Sequence, residues 1–359
     1  MTNEENVKNI VGIDIGKKIL EIVRKTSNGK IERFKTGTNA DGETRLANWL
    51  KPGDTVVMEA GNQAFRIAKK LKTLGYETIV LNPGEVATIY ASLRKTDKED
   101  ALKLARLAER HPREELPEVS IPTDAEEDSR RLSTEQAFWT QSSTKAKNRL
   151  HSLFTQAGFT DITKKHLSTH KNREEYIKLL PERYQNEAKR LVKSLLECDF
   201  NLSEIASEMT EILKQNKGYA EIAMSMPGIG PVTTLAFLSY IGDCSRFSKG
   251  QQVSYYVGLV PRVDQSGDTV HYGKIIKRGC VPIRRVIIQA AWALVKSEYG
   301  GSLKQFYERL YPRIGKKKAI VAVARKMMET FYAMITNGEL YRGVPQVFID
   351  KKIKSYGLT

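Results

Sequence analysis

The sequence predicts an α/β domain at its start, an α-helical middle and a mainly α final domain. Three observations carry that division. Residues 1–115 alternate short apolar runs with turn signals and helical stretches. Residues 116–215 keep helical periodicity with few breakers. Residues 216–345 hold apolar helices punctuated by glycine, and 346–359 read as a peripheral tail.

Composition narrows the function. The chain has 359 residues, 40% of them apolar, and a net charge of +16. Such a charge calls for a polyanionic partner, above all nucleic acid. Cys198, Cys244 and Cys280 are too scattered for a disulfide framework or a zinc site. The polar start, Met1 to Asn6, shows no signal-peptide pattern, and the run Val286–Val295 is too short to span a bilayer. A cytoplasmic protein with no membrane partner is expected.

In the first domain, Ile10-Val11-Gly12-Ile13-Asp14-Ile15 reads as a buried strand. Ile19–Val23 and Lys30–Lys35 follow as strands, joined by the hairpin signal Asn28-Gly29. A short helix over Glu43–Leu50 precedes a buried strand that starts at Asp54 and ends in Glu59. A helix over Gln63–Leu74 leads to the strand Glu77–Asn82, a helix near Val86, and a closing helix from Thr96 or Asp97. A hairpin meander followed by alternating helices and strands is the RNase H-like arrangement.

Acids fall on three of these elements. Asp14 lies in a strand, Glu59 ends another, and Asp97 and Asp100 share one helical face. Each has a structural reading of its own. Asp14 fits the phosphate-loop Asp of a sugar-kinase or actin-like ATPase, though the second such strand of those folds is missing. Glu59 fits a helix cap, and Asp97 and Asp100 fit a first turn that complements the helix dipole. Together they form an oxygen-rich set suited to Mg²⁺ or Mn²⁺, and a metal pair would activate a phosphodiester.

Glu126–Ala157 and Glu174–Lys214 read as two long antiparallel helices, a coiled-coil arm for dimer contacts or nucleic acid, or a plain spacer. In the last domain, Met226-Pro227-Gly228-Ile229-Gly230-Pro231 reads as a helix-hairpin-helix-like turn. Backbone near Gly228 and Gly230 would hold a phosphate there, and the alternative is a tight corner without ligand. Val263 to Asp268 reads as a loop with Ser266-Gly267 at its turn. Arg262, Lys274, Lys277, Arg278, Arg284 and Arg285 are expected to converge on phosphates beside Ser266. A serine ringed by cations suits a nucleophile; a serine before glycine is also a common turn element. Lys316-Lys317-Lys318 opens a further helix.

Three blocks carry a family resemblance. They are Gly12-Ile13-Asp14 with Met58-Glu59-Ala60 and Lys95–Ala101; Pro227-Gly228-Ile229-Gly230 with Thr234-Leu235; and Gly258-Leu259-Val260-Pro261, Ser266-Gly267 and Gly273-x-Ile275-x-Lys277-x-Gly279. In order and spacing the chain resembles the DEDD transposases of the insertion-sequence family numbered one hundred and ten, which are related to the Piv invertase and guided by a bridge RNA. The resemblance implies a RuvC-like first domain whose tetrad, at Asp14, Glu59, Asp97 and Asp100, binds Mg²⁺. It also implies a coiled-coil middle and a last domain with a serine nucleophile at Ser266. Relatives often place two serines before the glycine, and here the first of those places is Gln265.

The expected function is DNA recombination through a phosphoserine at Ser266, with donor and target DNA and a guide RNA as partners and a homodimer or tetramer as the assembly. The competing readings are a RuvC-like endonuclease in which water attacks, and a non-catalytic scaffold for RNA and DNA.

Overall fold

The computed structural model describes residues 9–89, 97–266, 269–276 and 278–358, with backbone only at 87–89, 97–98, 263–266, 269–270 and 272. Asp97 and Ser266 are therefore placed by their backbones, and Gly267, Asp268 and Lys277 lie outside the described residues. The chain forms two compact units, Met1–Thr123 and Asp124–Thr359.

The first unit is built on a five-stranded sheet. Strands β1 (Ile10–Ile15), β2 (Ile19–Lys25) and β3 (Ile31–Gly37) form an antiparallel meander. The Asn28-Gly29 turn works because Gly29 takes φ +82°, a region open to glycine. Helix α1 (Ala40–Trp49) starts where the Asn39 side chain accepts from the Gly42 amide. Strand β4 (Thr55–Glu59), helix α2 (Ala64–Thr73) and strand β5 (Glu77–Leu81) follow. β4 lies parallel to both β1 and β5, giving the order β3-β2-β1-β4-β5. Helices α3 (Pro83–Ile89) and α4 (Asp97–Arg110) close the unit. This is a mixed α/β unit of the kind the sequence predicts.

Strand alternation divides its core in two. Val11, Ile13, Ile22, Val56, Met58 and Val80 pack with Leu46, Ile67 and Leu71 of α1 and α2. Val57, Ile79 and Leu81 pack instead with Leu104 and Leu107 of α4. Near the start of β4, the buried Arg24 guanidinium donates to Asp54 at 2.8 and 3.0 Å and lies 3.8 Å over the Trp49 ring.

The second unit opens with helix α5 (Asp124–Gln156). Helix α6 (His170–Tyr176) precedes α7 (Glu182–Gln215). α5 and α7 run antiparallel: Leu150 and Phe154 pack near Ala188 and Val192, while Leu132 packs near Ile205 and Met209. Helices α8 (Lys217–Ser225), α9 (Pro231–Tyr240) and α10 (Gly250–Val257) come next. A β-hairpin, β6 (Pro261–Ser266) and β7 (Thr269–Ile275), leads to α11 (Val281–Lys296), α12 (Gly301–Ile314), α13 (Lys316–Asn337) and α14 (Gln346–Ser355). Phe237, Ile287, Leu294, Val323 and Phe331 lie in the principal core of this unit.

Two sequence expectations are corrected here. Residues 263–266, read as loop, are strand paired with β7. The 346–359 segment, read as peripheral, is anchored. Ile349 and Ile353 share a helical face and are buried with Leu213, Ala220, Met224 and Leu358. Among the described residues no helix is long and apolar enough to cross a membrane.

Candidate active site

The acids of the first unit meet because of one glycine. With Val11, Ile13, Val56 and Met58 facing α1 and α2, alternation puts Gly12, Asp14, Val57 and Glu59 on the face that α4 covers. β1 and β4 are in register, Ile13 opposite Met58, so Asp14 and Glu59 follow at neighbouring strand ends. α4 comes closest at Gly12. A Cβ there would run into the Ala101 carbonyl oxygen and stand 2.8 Å from the Ala105 nitrogen. Only glycine permits that approach. It brings Asp100, next to Ala101, within electrostatic reach of the strand ends.

The electrostatics record the meeting. Glu59 is half-buried, and its carboxyl is pushed above the usual carboxylate range, first by burial and then by the charges of Asp14 and Asp100. Lys103 works in the opposite direction. Its ammonium donates to Asp100 Oδ1. Lys103 was not singled out in the sequence, where a Lys three residues after an Asp reads as an ordinary helix-surface pair. Asp97 opens α4 on the same helical face as Asp100. Among the described residues no group of three or more His, Cys, Asp and Glu forms a metal-holding arrangement, and the Asp97 side chain lies outside them.

In the second unit Ser266 ends β6, with Thr269 as its partner on β7. The base of that hairpin is clasped by two glycines. At Gly258 (φ +75°) a Cβ would run into the Arg278 carbonyl and lie 2.5 Å from the Ile276 carbonyl oxygen; at Gly279 (φ +109°) it would meet the Tyr256 carbonyl. The Cys280 amide donates to Tyr256 O at 2.9 Å, and the Ile276 amide to Val260 O at 2.8 Å. The glycines of the third motif block thus serve close backbone packing.

The expected cations divide accordingly. Arg262, Lys274, Arg278 and Arg285 are exposed. Arg284 is half-buried and donates from Nη1 to Val257 O at 2.7 Å, tying α10 to α11. Arg262 faces Gly273 across the hairpin, so Arg262, Lys274, Arg278 and Arg284 belong to its base. Ser266 lies at the other end, four residues beyond Arg262, roughly 13 Å along the strand at about 3.3 Å per residue. Lys277 and the Ser266 side chain lie outside the described residues, and Arg285 lies on α11 beyond the hairpin.

The Gly228–Gly230 turn is a tight helical corner. Gly228 takes φ +83°, and a Cβ there would strike the Ala290 carbonyl of α11. Gly230 caps α9 ahead of Pro231. Lys352, from α14, donates to Met224 O at 2.6 Å and Met226 O at 3.2 Å, holding carbonyls that α8 leaves open at its end.

Comparison with known proteins finds matches to segments in both units. Residues 11–159 match the model of a DEDD-type transposase domain, and residues 220–308 match that of the Transposase IS116/IS110/IS902 family. The transposase for insertion sequence element IS1111A of Coxiella burnetii is 27% identical over 93% of this chain and 91% of its own length. The transposase for IS1328 of Yersinia enterocolitica is 22% identical over 92% and 98%. The pilin gene-inverting protein of Moraxella lacunata is 23% identical over 91% and 96%. The chain belongs to the IS110 family of transposases, enzymes that cleave and rejoin DNA.

Proposed function

We propose that this transposase cuts and rejoins DNA through a phosphoserine at Ser266, assisted by a divalent cation, Mg²⁺ or Mn²⁺, held by Asp14, Glu59, Asp97 and Asp100. The observation that supports the metal assignment is the register of β1 and β4 together with the close contact of α4 at Gly12, which puts Asp14, Glu59 and Asp100 within electrostatic reach of one another. The donors are hard oxygens, and one cation, Lys103, already bonds to a member of the set. Bound there, the ion would polarise a phosphodiester and steady the leaving oxygen.

The serine's part is a balanced exchange. Ser266 Oγ gives up its proton and bonds to phosphorus while the bond from phosphorus to a deoxyribose oxygen breaks, and that oxygen leaves as a hydroxyl. The hydroxyl of another strand then displaces the serine, which regains its proton. One ester replaces another at each step, so no ATP is needed. Arg262, Lys274, Lys277, Arg278 and Arg285 are assigned to phosphates a few nucleotides from the one attacked, and the Gly228–Gly230 corner to another. Arg284 contributes by positioning the hairpin base. A guide RNA that pairs with donor and target DNA completes the reading, supported by the +16 charge.

Mn²⁺ titration followed by electron paramagnetic resonance tests the metal assignment. Asp14→Asn and Asp100→Asn should each weaken Mn²⁺ binding at least tenfold and abolish cleavage of element-end DNA. Wild-type affinity together with wild-type cleavage in both variants would overturn it.

A further inference from the structure

The corner between α12 and α13 has the chemistry of a second nucleic-acid surface. Every residue from Tyr311 to Lys318 is exposed. Arg309, Arg313, Lys316, Lys317 and Lys318 supply five cations between positions 309 and 318, and that stretch contains no acid. Among the described residues none of the five forms an ion pair with a carboxylate. Three of them open α13, a helix with no acid in its first turn. Lysines there oppose the helix dipole.

Beside these cations is a stack of rings. Trp292 meets Tyr307 edge-on at 6.1 Å, and Tyr307 stacks on Tyr311 at 5.4 Å with 24° between the planes. The stack ends at Tyr311, which is 40% exposed, with Ile314 beside it at 41%. On the neighbouring face of α12, Arg309 and Lys326 line an open depression of about 350 Å³ with Ser302, Gln305 and Phe306. Lys326 is paired with Glu329 and Arg309 lies over the Phe306 ring, whereas Arg313 and Lys316–Lys318 have no carboxylate partner among the described residues. An aromatic platform flanked by such cations is how single strands are held, with bases continuing the stack and phosphates meeting the charges. Duplex DNA keeps its base faces stacked on one another and has none free to extend the ring stack.

We propose that the α12–α13 corner binds a single-stranded nucleic-acid segment, with an unpaired base stacked on Tyr311 and its phosphates on Arg313 and Lys316–Lys318. Binding at this corner can be read out without the strand-joining reaction.

Fluorescence anisotropy with the full-length protein tests this, using labelled oligo-uridine, labelled oligo-thymidine and a labelled DNA duplex. Tyr311→Ala should weaken the single strands about tenfold and leave the duplex unchanged, and Tyr311→Phe should bind like wild type. Replacing Lys316, Lys317 and Lys318 together by alanine should lower the salt slope for single strands by about 2. Tighter oligo-uridine binding would identify RNA as the ligand, and tighter oligo-thymidine binding an unpaired DNA strand. The proposal fails if Tyr311→Ala leaves single-strand affinity intact, if it weakens the duplex equally, or if the triple variant keeps the wild-type slope. Unfolding midpoints for every variant separate lost binding from lost structure.

Discussion

Glu59 carries the clearest physical signature of the acid site. Its raised carboxyl means that the folded chain holds that proton more tightly than the unfolded chain does. Stability therefore falls as pH rises from the ordinary carboxylate range through the raised value, and the full penalty persists above it. Glu59→Gln removes the charge but keeps the shape. Its urea midpoint without divalent ions should exceed that of wild type at pH 7.5, with the gain shrinking towards pH 4. Added Mn²⁺ should stabilise wild type more than the variant, because the ion offsets a repulsion that Gln lacks. An unchanged midpoint at both pH values would show that Glu59 is not repelled by its neighbours. Asp14 and Glu59 stood out in the sequence because carboxylates in strands or at strand ends are unusual, and Asp100 because it shares a helical face with Asp97. Lys103 did not, since its meaning depends on which way α4 faces.

At the scale of elements, glycines decide how the pieces meet. Gly12→Ala would push α4 off β1 and carry Asp100 away from Glu59. It should destabilise the first unit by about 1–3 kcal/mol, as overpacking does, and reduce cleavage more than folding. Equal activity per folded molecule would contradict the role given to that contact. Asp54→Ala, at the start of β4, should cost about 1.5–3 kcal/mol by removing one of the two carboxylates that pair with the buried Arg24 guanidinium, Glu32 keeping the other, as urea unfolding would measure. The meander, the parallel strands and the long helices were legible because their periodicities are strong. The β6–β7 hairpin was hidden because Asp264, Gln265 and Ser266 carry no apolar alternation, and its pairing depends on the clasp at Gly258 and Gly279. The tail was misread because only Ile349, Ile353 and Leu358 are buried, while Val347 and Phe348 face solvent.

Across the whole molecule, the acid set belongs to one compact unit and Ser266 to the other. The family match covers segments of both, and relatives with similar coverage are named as transposases and as a gene-inverting protein. The sequence motifs pointed to this family because their order spans nearly the whole chain. How the hairpin arranges its cations depended on register, which no motif encodes. The central claim is that DNA is joined transiently to Ser266. The most direct measurement is to incubate the protein with element-end DNA, its co-purified RNA and Mg²⁺, denature it, and map any DNA-linked peptide. A phosphoserine mechanism predicts a protein–DNA adduct that survives denaturation, maps to Ser266 and disappears in Ser266→Ala. An adduct on another residue, or wild-type cleavage by Ser266→Ala, would contradict it.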